Sequence, residues 1–207
     1  MRFDPKTPVL ALDEFQDYPS WHKGRWHYVV WYIEIVGDNV LSYCKQMQSQ
    51  FAQILHDGYR RQFHITLFVN GFLADAPIYD DDCTLAQIAK QAQAIQRLKL
   101  PAFELGVKGV DGFSSSLFLA IDDWADNLSR IRQALGGIKS EIAPDNYCPH
   151  ITLGFYRQGI TSHQVLTMIQ NIPCPPQRFW VNQITVGHYQ ADKLQGELTP
   201  IQRIDLF

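Results

Sequence analysis

One tetrapeptide is written twice in this chain, as His64-Ile65-Thr66-Leu67 and again as His150-Ile151-Thr152-Leu153. Each copy lies in a short apolar run that alternates as a half-buried strand does, and in a strand residues two apart share a face. His64 and Thr66 are therefore expected side by side, with Gln62 and Phe68. Phe63, Ile65, Leu67 and Val69 turn the other way, toward a core. In the second copy Ile151, Leu153 and Phe155 make the core face, which leaves His150, Thr152, Gly154 and Tyr156 on the opposite one.

The repeat extends beyond the motifs. They stand 86 residues apart, and the same offset carries residues 29–35 onto residues 115–121, both rich in strand-forming side chains. Trp26 to Ile35 is a dense aromatic and β-branched run, the pattern of a strand covered on both faces. Gly37 and Asp38 then mark a turn and a helix cap, and Val40, Leu41, Cys44, Met47, Phe51, Ile54 and Leu55 recur at helical spacing. In the second unit Asp122 and Asp123 are expected to cap a helix that holds Trp124, Leu128, Ile131 and Leu135 and ends at Gly136-Gly137. An internal duplication accounts for this order, with units at about residues 26–75 and 112–160.

Between the units, Asp80, Asp81 and Asp82 read as a solvated turn before a helix led by Thr84. Phe103 to Val110 and the strand after it form a hairpin through Gly109, Asp111 and Gly112. Ser162 is expected to cap a further helix, and closing strands fill 178–207. Residues 1–25, with Pro5, Pro8 and Pro19, read as an extended arm ending in the cluster Trp21, His22, Lys23, Arg25 and Trp26; its tryptophans are expected to pin it to the body. The whole predicts an α+β fold: one bilobal domain over 26–207, a pseudo-two-fold duplication of antiparallel sheets with outer helices around a central cleft.

The motif residues suit phosphoryl chemistry. Imidazole titrates near neutrality, so one histidine can accept a proton while another gives one, and a hydroxyl two residues along can hold an anionic oxygen. A net charge of −3 argues against a broad grip on duplex nucleic acid and for local contact with a short or terminal strand. Cys44, Cys83, Cys148 and Cys174 are scattered without metal-like pairing, so reduced thiols are expected. No apolar run approaches the roughly 20 residues of a membrane span, and the stretch with Asp4, Pro5, Pro8, Asp13 and Glu14 lacks a signal-peptide core. These features give the expectation of a cytoplasmic protein without membrane attachment or an implied stable protein partner.

The twin His-x-Thr motifs, with the extended form Pro149-His150-Ile151-Thr152-Leu153-Gly154 and the closing stretch from Trp180 through Gly196 to Leu206, resemble those of the two-histidine phosphoesterase superfamily, which includes bacterial RNA 2',3'-cyclic phosphodiesterases, also called 2'-5' RNA ligases. The resemblance covers roughly residues 26–207 and is specific only in the two motifs. It implies a bilobal fold, no cofactor and no metal, and catalysis by His64, Thr66, His150 and Thr152, with His150 as base and His64 as acid. The substrate it implies is an RNA or oligonucleotide end with a 2',3'-cyclic phosphate, then a 2'-5' linkage, then a small cyclic nucleotide. Phe68-Val69-Asn70-Gly71 departs from the family's usual form.

Phe68 and Tyr156, on the expected site faces, are candidates to stack on a base. Arg157, Arg61 or Lys108 would supply positive charge, although Arg157 has the wrong strand parity for the face of Tyr156. His188 reads as structural. Two readings from other classes stand beside this one: a zinc site joining His64, His150 and Cys148, for which a two-residue ligand spacing on one strand is a poor signature, and a catalytically idle RNA-binding module in the same cleft.

Overall fold

The computed structural model describes residues 3–11, 18–57, 60–142, 146–193 and 195–207; Asp13 and Glu14 fall outside them. In chain order the elements are α1 (Pro19–His22), β1 (His27–Glu34), α2 (Asp38–Gln50), β2 (His64–Leu73), β3 (Asp82–Cys83), α3 (Leu85–Arg97) and β4 (Phe103–Gly112). Then follow β5 (Ser116–Asp122), α4 (Asn127–Gly136), β6 (His150–Phe155), α5 (Ser162–Asn171), β7 (Gln177–Val181), β8 (Gln183–Gln190) and β9 (Thr199–Asp205).

The strands form one sheet in the order β7-β4-β5-β6-β2-β1-β8-β9, with β3 parallel to the end of β2. All other pairings are antiparallel. The order reads the same outward from its middle: motif strand β2 then β1, motif strand β6 then β5. One lobe is β2-β1-β8-β9 and the other β6-β5-β4-β7. Within the sheet the motif strands of the two lobes meet, among the described residues, at one bridged pair, Ile65 with Ile151. β7 and β8 lie at separate places in the sheet, yet only Asn182 separates them in the chain. The sheet must therefore curl back on itself, and the antiparallel half-barrel that results carries its helices on one face.

That face holds the main core. Ile65, Leu67, Ile151 and Leu153 are fully buried there against Val40, Cys44 and Met47 of α2, Ile88 and Ile95 of α3, Leu128 and Ile131 of α4, and Val165 of α5. The helices begin where local chemistry dictates. Thr84 and Gln87 form a capping box on α3, and Thr161 with Gln164 forms one on α5. The α5 cap is thus Thr161 and not Ser162, whose hydroxyl instead donates to the Thr7 carbonyl. Asp123 accepts from the amides of Asn127 and Leu128, so α4 starts three residues beyond the expected point and Trp124 stays outside it, half exposed.

The N-terminal arm is not wholly extended, since α1 forms one short helical turn. Trp21 packs on Tyr28 and Phe72, as expected of a pinning residue. The acidic turn is solvated only in part: Asp80 is exposed, but Asp82 is buried, accepts from the Ile78 and Tyr79 amides, and with Asp81 binds Arg25. Against the cost of burial, the largest influence on it, the Ile78 and Tyr79 amides and Arg25 hold the Asp82 carboxyl below its ordinary range. Gly71 adopts a left-handed φ of 95°, and a Cβ there would overlap the Asp81 carbonyl, which is why the chain has glycine where this turn lies on β2.

Candidate active site

The register across the middle of the sheet brings the two motifs together head to tail. With Ile65 opposite Ile151, an antiparallel ladder sets His64 across from Thr152 and Thr66 across from His150. All four side chains leave from the face opposite the helices. His64 is buried to 9 % exposure, and Thr66, His150 and Thr152 are half-buried.

Both imidazoles are held in the same way. His64 Nδ1 lies 2.7 Å from the Gln62 carbonyl, and His150 Nδ1 lies 2.7 Å from the Cys148 carbonyl. A carbonyl only accepts, so each Nδ1 carries a proton and donates it, and Nε2 becomes the basic nitrogen of the neutral ring. Edge contacts fix the ring planes. Tyr32 meets His64 at 5.8 Å, and Phe113 and Phe118 meet His150 at 5.2 and 5.0 Å. Tyr32 and Phe118 correspond under the 86-residue offset, and each pairs with a motif threonine. Among the described residues no group of three or more His, Cys, Asp or Glu is placed to hold a metal ion.

Burial pushes the His64 pKa down to about 4, and the Arg61 and His150 charges act in the same direction against the Gln62 carbonyl. The Tyr32 phenol is pushed up to about 12 by burial, then by Glu34.

A feature hidden from the alternation rule follows each motif. On β2 the register passes from Tyr32–Thr66 to Trp31–Phe68, and on β6 from Phe118–Thr152 to Leu117–Gly154. Leu67 and Leu153 are each the extra residue of a β-bulge, and beyond a bulge every side chain changes face. Phe68 accordingly lies in the helix-side core at 2 % exposure, and Tyr156 lies there fully buried, edge-on to Phe3. Neither stands on the face of the histidines, contrary to the expectation from unbroken alternation. Val69 and Phe155, expected in the core, are only partly buried.

The bulges release backbone carbonyls, and helix side chains satisfy them. Arg132 of α4 donates to the Leu67 carbonyl, and Gln48 of α2 donates to the Leu153 carbonyl. Arg132 also forms a two-pronged pair with Glu141, whose carboxylate accepts from the Val69 amide, and it stacks on Tyr147, whose hydroxyl donates to the Thr66 carbonyl. The sequence gives no sign of this group. Arg132 lies on a helix face, Glu141 and Tyr147 lie in an irregular stretch, and no motif marks their convergence on β2.

The expected cationic residues have other partners. Arg157 donates to the Leu55 carbonyl and pairs with Asp57, so it fastens the exit of α2. Lys108 pairs with Asp122. Arg61 donates to the Gly196 carbonyl and lies over the Tyr189 ring, near enough to bias His64. His188 stacks on His27.

The geometry defines a class: a protein with two His-x-Thr strands paired about a local two-fold axis, its imidazoles presented on the open face of one curled sheet, the two-histidine phosphoesterase arrangement. The sequence model of the 2'-5' RNA ligase superfamily matches residues 44–193, and the chain belongs to that superfamily. Its fold is similar to Escherichia coli LigT complexed with 3'-AMP, at TM-score 0.56 and 15 % identity over 88 % of this chain and 99 % of that one. It is similar also to LigT in apo form, at TM-score 0.59 and 13 % identity over 88 % and 99 %. A Thermus thermophilus protein matches at TM-score 0.56 and 15 % identity over 86 % and 97 %. No curated protein matches the sequence. Among the described residues no helix is long and apolar enough to cross a membrane.

Proposed function

We propose that the protein is a phosphodiesterase that hydrolyses 2',3'-cyclic phosphate ends of RNA or oligonucleotides with its own histidines and no metal. The observation that carries this reading is the head-to-tail pairing of the motifs with both Nδ1 atoms tied to carbonyls. That arrangement sets the two imidazoles and the two hydroxyls on one face of neighbouring strands, with Nε2 left as the basic nitrogen of each ring. The 3'-AMP bound by LigT is a nucleotide of the kind such a site accommodates.

With a phosphodiester on that face, one neutral imidazole takes a proton from water as it attacks phosphorus. The other, protonated, gives its proton to the departing ribose oxygen. Thr66 and Thr152 donate to the non-bridging oxygens, where charge gathers in the transition state. Burial favours the neutral form of His64 in the free protein, but a bound phosphodiester anion favours the protonated form of either imidazole. The roles therefore follow the family resemblance, with His150 as base and His64 as acid.

The test is hydrolysis of a 2',3'-cyclic mononucleotide and of a short RNA with a cyclic phosphate end, in excess EDTA. Native protein is expected to turn both over, and His64→Ala and His150→Ala each to lose about 10²- to 10⁴-fold in rate. Native turnover by either variant would overturn the mechanism. Activity confined to 2'-5' linkages or to a small cyclic nucleotide would move the substrate and keep the chemistry. Binding without turnover would make the chain an RNA-binding module, and activity only with added zinc would make it a metal site.

A further inference from the structure

The open faces of the two lobes differ although their motifs match. In the β2-β1-β8-β9 lobe this face is already occupied: Tyr28, Val30, Tyr32 and Phe72 are buried beneath Ala191 and Leu198 of the segment after β8, and Trp21 of the arm covers Tyr28 and Phe72. In the β6-β5-β4-β7 lobe Phe113 packs on Phe118 at one side of His150, but the positions leading toward β4 and the end of β5 are small. Ala120 pairs with His150, Gly109 with Ala120, and Gly106 with both Asp122 and Arg178.

Over this bare floor stand two exposed indoles. A Cβ at Gly106 would come within 3.0 Å of the Trp124 ring, so the missing side chain is what lets Trp124 lie across the strand. Trp124 nevertheless keeps half its surface in solvent, and Trp180 is 64 % exposed. On β7, Arg178 and Trp180 alternate with Phe179 and Val181, which pack into the helix-side core, so both face the open side. The Arg178 guanidinium stands 5.1 Å from the Trp124 ring centroid, and its one ion pair among the described residues, to Glu104, is solvent-exposed at 3.3 Å. A phosphate competes readily with such a surface pair. A hollow of about 490 Å³ lies between Arg178, Trp180 and Asn182 on one side and residues 34–40, with Glu34 and Asp38, on the other; Glu34 pairs with His64.

We infer that this lobe is the RNA-binding side of the site and that the substrate is a single-stranded RNA end longer than one nucleotide. The inference rests on the proposed chemistry for the position of the terminal phosphate, between the histidines. The terminal base stacks on Trp124, the preceding base on Trp180, and the phosphate linking them meets Arg178. Exposed aromatic faces separated by a cation are the general means of holding unpaired bases without reading their sequence.

Two readouts test it, using the whole protein. The first compares kcat/KM on 2',3'-cyclic AMP and on a trinucleotide with a cyclic phosphate end, for native protein and the Trp124→Ala, Trp180→Ala and Arg178→Gln variants. Trp26→Ala, which removes an equally exposed indole from the other lobe, is the control. Trp124→Ala is expected to raise KM about 5- to 100-fold on both substrates with kcat little changed, and Trp124→Phe to restore most of the loss. Trp180→Ala and Arg178→Gln are expected to cut the preference for the trinucleotide over the mononucleotide by about tenfold.

The second readout is quenching of tryptophan fluorescence by a trinucleotide ending in a 3'-phosphate, which needs no turnover. Native protein is expected to be quenched, Trp124→Ala and Trp180→Ala much less, and Trp26→Ala as strongly as native. Quenching without hydrolysis of either substrate would sustain the RNA track and sink the proposed reaction. Hydrolysis with KM, preference and quenching unmoved in all three variants would sustain the reaction and overturn the track.

Discussion

His64 concentrates the electrostatics of the site in one side chain. In the free protein burial disfavours its imidazolium and brings its pKa down to about 4. The profile of kcat/KM against pH reports free-enzyme ionisations whichever of the pair is the base, so its acid limb should fall near pH 4. An acid limb near 6.5 would show that His64 is not desolvated. Thr66→Val and Thr152→Val keep the strand shape and delete one hydroxyl each, so each should lower kcat about 10²- to 10³-fold, the range for one oxyanion donor. Arg157→Ala should leave kcat/KM within about twofold, because its guanidinium is spent on Leu55 and Asp57 and an exposed pair of this kind is worth about 1 kcal/mol or less. The four motif residues and their shared face are legible in the sequence because strand alternation holds from His64 to Thr66 and from His150 to Thr152. The tautomers are not, since the carbonyls that set them come from chain direction two residues upstream.

At the level of the strand, each motif ends in a bulge, and there the reading by alternation stops being valid. Adjacent core residues, Leu67 with Phe68, are the trace such a bulge leaves in a sequence, and an apolar run of Leu-Phe-Val masks it. Glycine masks it in the second copy, since Gly154 shows no preference of face. Phe68 therefore belongs to stability. Phe68→Ala should cost about 3–5 kcal/mol in chemical denaturation, the range for a truncated core aromatic, while KM of the surviving folded fraction stays near native. Arg132→Met leaves Glu141 without its partner at 10 % side-chain exposure and strips the Leu67 carbonyl of its donor. A loss of about 3–5 kcal/mol is expected for such a broken, largely buried pair. Elements bounded by capping chemistry, such as α3, can be placed well from sequence. α4 cannot, because Asp123 caps it from four residues away and leaves Trp124 outside.

For the molecule as a whole, the depressed His64 pKa couples folding to acidity. The unfolded chain binds a proton at His64 near pH 6.5 and the folded one only near pH 4. Its contribution is thus fully present above 6.5 and is lost as pH falls toward 4, by about 3 kcal/mol. Unfolding midpoints measured from pH 7 to pH 4 should fall less steeply in His64→Gln than in the native protein. The bilobal organisation is readable because the 86-residue offset repeats strand, helix and motif strand in order. What the offset does not contain is that β8 and β9 complete the first lobe, or that the segment after β8 covers that lobe's open face while Gly106 leaves room for Trp124 on the second. That division has a consequence for synthesis. The strands of the β6-β5-β4-β7 lobe are contiguous from residue 103 to 181, so this half can assemble its own sheet as it leaves the ribosome. The half that begins the chain must wait, with β1 and β2 already made and one edge unpaired, until β8 and β9 arrive.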